Sequence, residues 1–262
     1  MLLRRLTNHI NDQNWFAVGL DFFIVVVGVF IGIQLGNWNE QRQERQLEGS
    51  ILARLADDFY RIEEDAEQAI QFSQSRMNIL DRLMVAISDD PANVLDPEIG
   101  RRLLWGVTVK NPVRDSPTYG ELLSAGEMRL IKSPELRDAL SMHARNRTDH
   151  FASNQRNASR ALSTDSDLVR VANLSEAQRD AAQNDKPAAY QERLEKDLLS
   201  LAGSASLLTD LAVARGTQRY AFWMHSRTLN DARRVLILLG EDVPEPKFIP
   251  DRRDPPKELA EN

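Results

Sequence analysis

The sequence predicts an all-α protein, with one N-terminal transmembrane helix continuing into a long helix and an antiparallel helical bundle as the soluble body. Three observations carry this. Residues 16–35 are apolar apart from Asp21 and Gln34. Beyond them, apolar residues recur at alternating steps of three and four, which keeps one stripe on one helix face. The alternating apolar–polar runs of strands are missing, and β-branched residues are sparse outside the first span.

The first 15 residues hold Leu2, Leu3, Leu6 and Ile10 at helical spacing beside Arg4 and Arg5. They read either as a short interfacial helix or as a frayed basic tail. The span itself occupies residues 16–38. A membrane-crossing helix needs about 20 apolar residues, and 14 of residues 16–35 are Leu, Ile, Val or Phe. Each favours insertion by roughly 0.3 to 0.6 kcal/mol, so their sum exceeds the roughly 3 kcal/mol that an Asp costs at mid-bilayer. Trp15 and Trp38 bracket the run as interface anchors, roughly 35 Å apart on a straight helix. Gly36-Asn37-Trp38-Asn39 offers no small-residue cleavage site, so the anchor stays attached.

Residues 39–242 form the helical bundle. Leu52, Leu55, Phe59, Ile62, Ala66, Ala69, Leu80, Leu83 and Ile87 continue one stripe, with Ser73 and Arg76 as its polar gap, until Asp89-Asp90-Pro91 stops the helix. Asp96-Pro97-Glu98 opens a short helix through Leu103, Leu104 and Trp105, with Asp as cap and Pro at the first turn. Ser116-Pro117 opens another, ending near Gly126. Ser133-Pro134-Glu135 starts a longer one carrying Leu136, Leu140 and Phe151, half exposed along its length. The capping-box spacing of Ser175 and Gln178 predicts a break around residues 172–174. Leu194, Leu201, Leu208, Phe222, Leu229 and Leu236 share one register, with Arg215 as intruder and Leu198, Ala205 and Ala212 as companions. That pattern predicts one long last helix packed antiparallel along the first. Residues 243–262 contain five prolines among charges and read as a disordered tail.

Composition narrows the function. The net charge is −6 and no basic stripe exists to neutralise phosphates, so nucleic acid is not an expected partner. There is no cysteine, hence no disulfide framework. Arg4 and Arg5 precede the span, while Arg42, Arg45 and Arg54 follow among Glu40, Glu44 and Glu48, so basic residues alone do not decide orientation. A short basic N-terminus before an uncleaved anchor places the body outside the cytoplasm.

Gln13-Asn14-Trp15-Phe16-Ala17-Val18-Gly19-Leu20-Asp21-Phe22, then Ile24-Val25-Val26-Val27-Gly28-Val29-Phe30-Ile31-Gly32-Ile33-Gln34 and Asn37-Trp38-Asn39-Glu40, resemble the opening of an uncharacterised family of bacterial single-pass membrane proteins. The likeness is looser through Tyr119-Gly120-Glu121-Leu122-Leu123-Ser124-Ala125-Gly126. It implies a bacterial inner-membrane protein with a helical soluble part, and it transfers no catalytic residue.

Several residues could carry function. Asp21 is an ionisable group within the span, and such residues often serve ion pathways. It could also sit at headgroup level or pair within a homo-oligomer. Gly28, Gly32 and Gly36 form two overlapping Gly-x-x-x-Gly steps that let helices approach closely. Tyr119, Leu122, Leu123 and Met128 crowd a loop-rich connection that either plugs the bundle end or forms a docking surface. His143 and His150 are seven residues apart, too far to share a metal easily. With His9 and His225 they read as structural or surface histidines.

No nucleophile elbow, phosphate loop or dinucleotide fingerprint is present. The expectation is therefore a non-enzymatic, cofactor-free, membrane-anchored interaction or sensory scaffold of the bacterial envelope. Its partners would be the lipid bilayer, a second copy through the span, or an unknown membrane or envelope protein. The alternative is an accessory subunit of an ion-coupled or channel complex that uses Asp21.

Overall fold

The computed structural model describes residues 15–108, 110, 113–161 and 166–247. Residues 1–14, which hold the possible interfacial helix, lie outside that set, as do residues 248–262 of the tail. The described residues form seven α-helices and no strand. Two compact units divide the chain, Met1–Leu52 and Ala53–Asn262.

Helix α1 (Trp15–Asp89) is unbroken over 75 residues and contributes to both units. In the first unit it carries a stretch long and apolar enough to cross a membrane. The best 18-residue window has a mean hydropathy of 2.1, and none of it is buried. Phe22, Phe23, Val25, Phe30 and Ile33 are all more than half exposed. A core helix would hide these side chains, so in water this surface lacks its solvent.

The second unit is the bundle. Its helices are α2 (Pro97–Val107), α3 (Pro117–Ala125), α4 (Pro134–Ala161), α5 (Asp167–Gln183), α6 (Ala188–Ala202) and α7 (Ala205–Leu239), with 3-10 turns at Pro91–Leu95 and Met128–Leu130. The stop and start signals act as their chemistry requires. The Asp90 side chain accepts from Ala92 N at 2.9 Å, and Asp96 accepts from Glu98 N at 2.9 Å. Ser116 accepts from Tyr119 N at 3.1 Å, and Ser133 accepts from Leu136 N at 3.1 Å. Gly126 closes α3 in the left-handed region, φ 68°, where a Cβ would be strained.

The last helix runs antiparallel along α1, and its ion pairs fix the register. Arg215 pairs with Asp81, Arg233 with Glu63 and Glu67, and the Tyr60 hydroxyl donates to Glu241. As numbers rise on α7 they fall on α1. Helix α4 packs most extensively on α7 and is also antiparallel to it, as Asn146–Asp231 and His150–Trp223 show.

Buried positions on α7 run Leu207, Leu211, Ala214, Gln218, Ala221, His225, Thr228, Ala232 and Val235, in steps of four and three. The body therefore has two halves of different character. In one, Leu80, Leu83, Ile87, Val94, Ile99, Leu103, Leu168, Val171, Leu198, Leu207 and Leu211 form an apolar core. In the other, the inward face of α7 carries Gln218, His225, Thr228 and Arg233, all buried.

Four expectations need correction. The break around residues 172–174 does not exist, because α5 runs through it. Ser175 caps nothing; it is buried where α5 crosses α2, and a Cβ on Gly100 would stand 2.1 Å from the Ser175 Cβ. A small residue facing a glycine is what that close crossing requires. The single last helix is two, α6 and α7, bent by 70° at Gly203-Ser204, where the Ser204 hydroxyl accepts from Leu207 N. The register shifts with it. Leu208, Phe222 and Leu229 are only partly buried, while Ala205 and Ala212 face solvent.

Phe151 is likewise exposed, and the inward face of α4 is Leu136, Leu140, His143 and His150. Beyond α7, Asn230 receives Lys247 N at 3.2 Å and donates to its carbonyl at 2.6 Å.

Candidate functional site

The residues singled out in the span stand on bare helix. Asp21, Gly28, Gly32 and Gly36 are exposed, and no atom lies within 4 Å of a Cβ built on any of the three glycines. Trp38 is exposed too. Among the described residues, nothing packs against them.

The Tyr119–Met128 connection splits in two. Leu122 is buried with Thr118 and Ile131. Leu123 is 61 % exposed, while Tyr119 and Met128 are partly buried. Polar bonds hold the connection in place. Asp58 on α1 accepts from Ser116 Oγ at 2.8 Å and Thr118 N at 3.0 Å. Arg54 pairs with Glu121, Arg114 with Asp65, and Arg147 with Asp115 at 2.9 Å.

Three histidines lie inside the polar half of the body. His143 meets the Phe59 ring edge-on at 5.0 Å, and His150 meets Trp223 at 6.0 Å. Burial pushes all three, His143, His150 and His225, down to about 4. Both nitrogens of His143, Nδ1 of His150 and Nε2 of His225 have no hydrogen-bond partner. They are neutral rings used as packing groups. Among the described residues no group of His, Asp and Glu converges to hold a metal ion. Nearby, burial raises the Asp231 carboxyl above its ordinary range, partly offset by a 2.8 Å bond from Asn146.

A different site emerges where α2 lies on the second half of α1. Ile79, Arg82, Leu83 and Ala86 of α1 face Glu98, Ile99, Arg101, Arg102 and Trp105 of α2 across a cleft of about 320 Å³. The close approach depends on Gly106, where a Cβ would stand 2.7 Å from Leu80 Cδ2. Gln218 on α7 secures the end of α2 by donating to the Gly106 and Thr108 carbonyls, each at 3.0 Å. These carbonyls lack partners within the helix, so the buried amide is a C-terminal cap.

The charge in the cleft is one-sided. Arg101 is paired with Glu98. Arg82 and Arg102 are exposed, with neither hydrogen bond nor ion pair among the described residues. Arg76 stacks its guanidinium over Phe72 at 4.3 Å and over Trp105 at 5.4 Å. Its Nε is buried without an acceptor among the described residues, and burial lowers the side chain's affinity for a proton. Three arginines, Arg82, Arg101 and Arg102, thus line the cleft with one carboxylate and one 54 % exposed indole, on a chain of net charge −6, and Arg76 adds a fourth guanidinium beside that indole.

The sequence named Trp105 only as part of a short helix, and Arg76 only as a gap in a stripe. Their convergence depends on how α2 folds back on α1, which no local pattern encodes. Compared with family models, curated proteins and solved structures, the chain matches none.

Proposed function

We propose that this chain is a membrane-anchored helical interaction or scaffold protein of the bacterial inner membrane, with its body outside the cytoplasm. The observation that carries this reading is the apolar stretch of α1, long enough to span and covered by none of the described residues. A helical body follows on the same helix, with an apolar core and ion pairs between its helices. The likeness of residues 13–40 to an uncharacterised bacterial family supports the same layout. The exposed face bearing Gly28, Gly32 and Gly36 suits a second copy or another membrane helix as neighbour.

Purification from native membranes in mild detergent tests the interaction. A membrane or envelope protein present in fixed stoichiometry is the expected result, and the chain recovered alone would contradict it. Asp21 favours a second reading, as an accessory subunit of an ion-coupled complex, because it is an ionisable group within the apolar stretch with no partner among the described residues. Asp21→Asn leaves the purified complex functional under the first reading and silences it under the second.

A further inference from the structure

We propose that the cleft between α1 and α2 binds a small amphipathic carboxylate, with the acid held by Arg82 and Arg102 and the apolar body seated on Ile79, Leu83, Ile99 and Trp105. This goes beyond the anchoring reading, since every residue involved lies in the body.

Arg82 and Arg102 are planar, permanently charged donors with no acceptor among the described residues, and a carboxylate accepts two parallel bonds from such a group. Glu98, the lining carboxylate, is already neutralised by Arg101 and so does not compete for them. Asp81, on the same helix as Arg82, is engaged by Arg215 on α7. The rest of the lining is aliphatic and aromatic. Trp105 is held by flanking guanidinium groups, Arg76 at 5.4 Å and Arg101 at 5.8 Å. These contacts raise the positive potential around an exposed indole.

An inorganic anion would leave the apolar surface wet, and a neutral apolar molecule would leave two arginines without a counterion. A molecule with both parts uses the whole cleft. Its volume of about 320 Å³ sits at the small end of the range for small-molecule sites. The cleft therefore suits a single ring system or short branched chain rather than a folded partner.

The test uses the full chain in phosphatidylcholine nanodiscs and 2-naphthoate as probe, with 2-naphthamide as its uncharged counterpart, by isothermal titration calorimetry. The expected result is binding of the acid, with the amide at least roughly tenfold weaker, as loss of charge-assisted hydrogen bonds implies. The doubly substituted Arg82→Gln, Arg102→Gln chain should lose affinity for the acid by a similar factor. Trp105→Ala should weaken acid and amide alike. Both arginines are exposed and unpaired, so helix content by circular dichroism should be unchanged in the double variant.

Equal binding of acid and amide, an unaffected double variant, or no binding at all would overturn the proposal. So would displacement of naphthoate by an equal concentration of inorganic phosphate. Repeating the titration in phosphatidylglycerol nanodiscs adds a lipid phosphodiester as competitor. Unchanged affinity for naphthoate is the expected result, and a loss of affinity there would assign the cleft to a lipid phosphate and overturn the proposal. Failure of the titration would leave the membrane reading untouched.

Discussion

Lowering the pH from 7 to 4 is expected to unfold the half of the body built around His143, His150 and His225. All three rings are buried and neutral, and burial holds each at about 4 against an ordinary value of 6.5. The unfolded chain therefore takes up protons first as the pH falls through 6.5. The stability these rings contribute is complete above that value and declines until the folded rings themselves titrate near 4. Each group costs on the order of 1 kcal/mol per pH unit in that window, and the three act in the same direction. A domain's whole stability is about 5–15 kcal/mol, so the loss is enough to unfold it.

The surroundings do not cancel this effect. His143 faces Asp115, which favours its charged form, but also Arg147 and His150, which oppose it. Asp149 supports a charge on His150 while Arg227 opposes it, and Lys110 and His150 oppose one on His225. Asp231, raised by burial, gains stability on acidification and works in the opposite direction, but it is one group against three. The low-lying carboxyls of Glu135 and Asp167 matter only below their ordinary range.

Thermal melts of the full chain in mild detergent, from pH 7.5 to 4.5, should show a steep fall in Tm. His225→Leu should shallow that slope at little cost at neutral pH, because an unpartnered buried nitrogen is exchanged for apolar surface. Parallel slopes for the two chains would refute the account.

The second large effect is at Arg233. Its side chain is 8 % exposed, and it donates to Glu63 and Glu67 at 2.7 Å each. Arg233→Ala would leave Glu63, itself 14 % exposed, as a charge without a partner. Breaking a buried pair in this way costs about 3–5 kcal/mol. For a body of this size the Tm should drop by on the order of 10 °C. Replacing the whole set, with Arg233→Met, Glu63→Gln and Glu67→Gln, should recover most of that loss, since no charge is then stranded. If the triple variant is as unstable as Arg233→Ala, packing rather than charge is what Arg233 supplies.

The parts of the fold legible in the sequence are those governed by local chemistry. Asp96-Pro97, Ser116-Pro117 and Ser133-Pro134 announce helix starts because the cap bonds lie within three residues. The α1 stripe is legible because Leu55, Phe59, Ile62 and Leu80 are apolar as well as buried. The inward face of α7 escaped because Gln218, His225, Thr228 and Arg233 occupy positions that a hydropathy pattern assigns to solvent. Their burial is sustained by partners distant in sequence: the α2 carbonyls for Gln218 and the α1 carboxylates for Arg233.

Gly203-Ser204 was a readable signal that the heptad spacing masked, since a glycine followed by a capping serine ends one helix and begins the next. The opposite error arose at Ser175, whose neighbourhood has the spelling of a cap and the function of a contact. The cleft lined by Arg82, Arg102 and Trp105 was not legible at all. Its residues lie on two helices, and the charge imbalance appears only after the other carboxylates have found their partners.

Everything proposed for this chain's place in the cell requires that the apolar stretch of α1 be solvated by lipid. Sodium carbonate extraction of membranes carrying the full chain tests this directly. The chain should remain in the pellet, and a chain lacking residues 16–38 should move to the supernatant. Release of the full chain by carbonate would contradict the account.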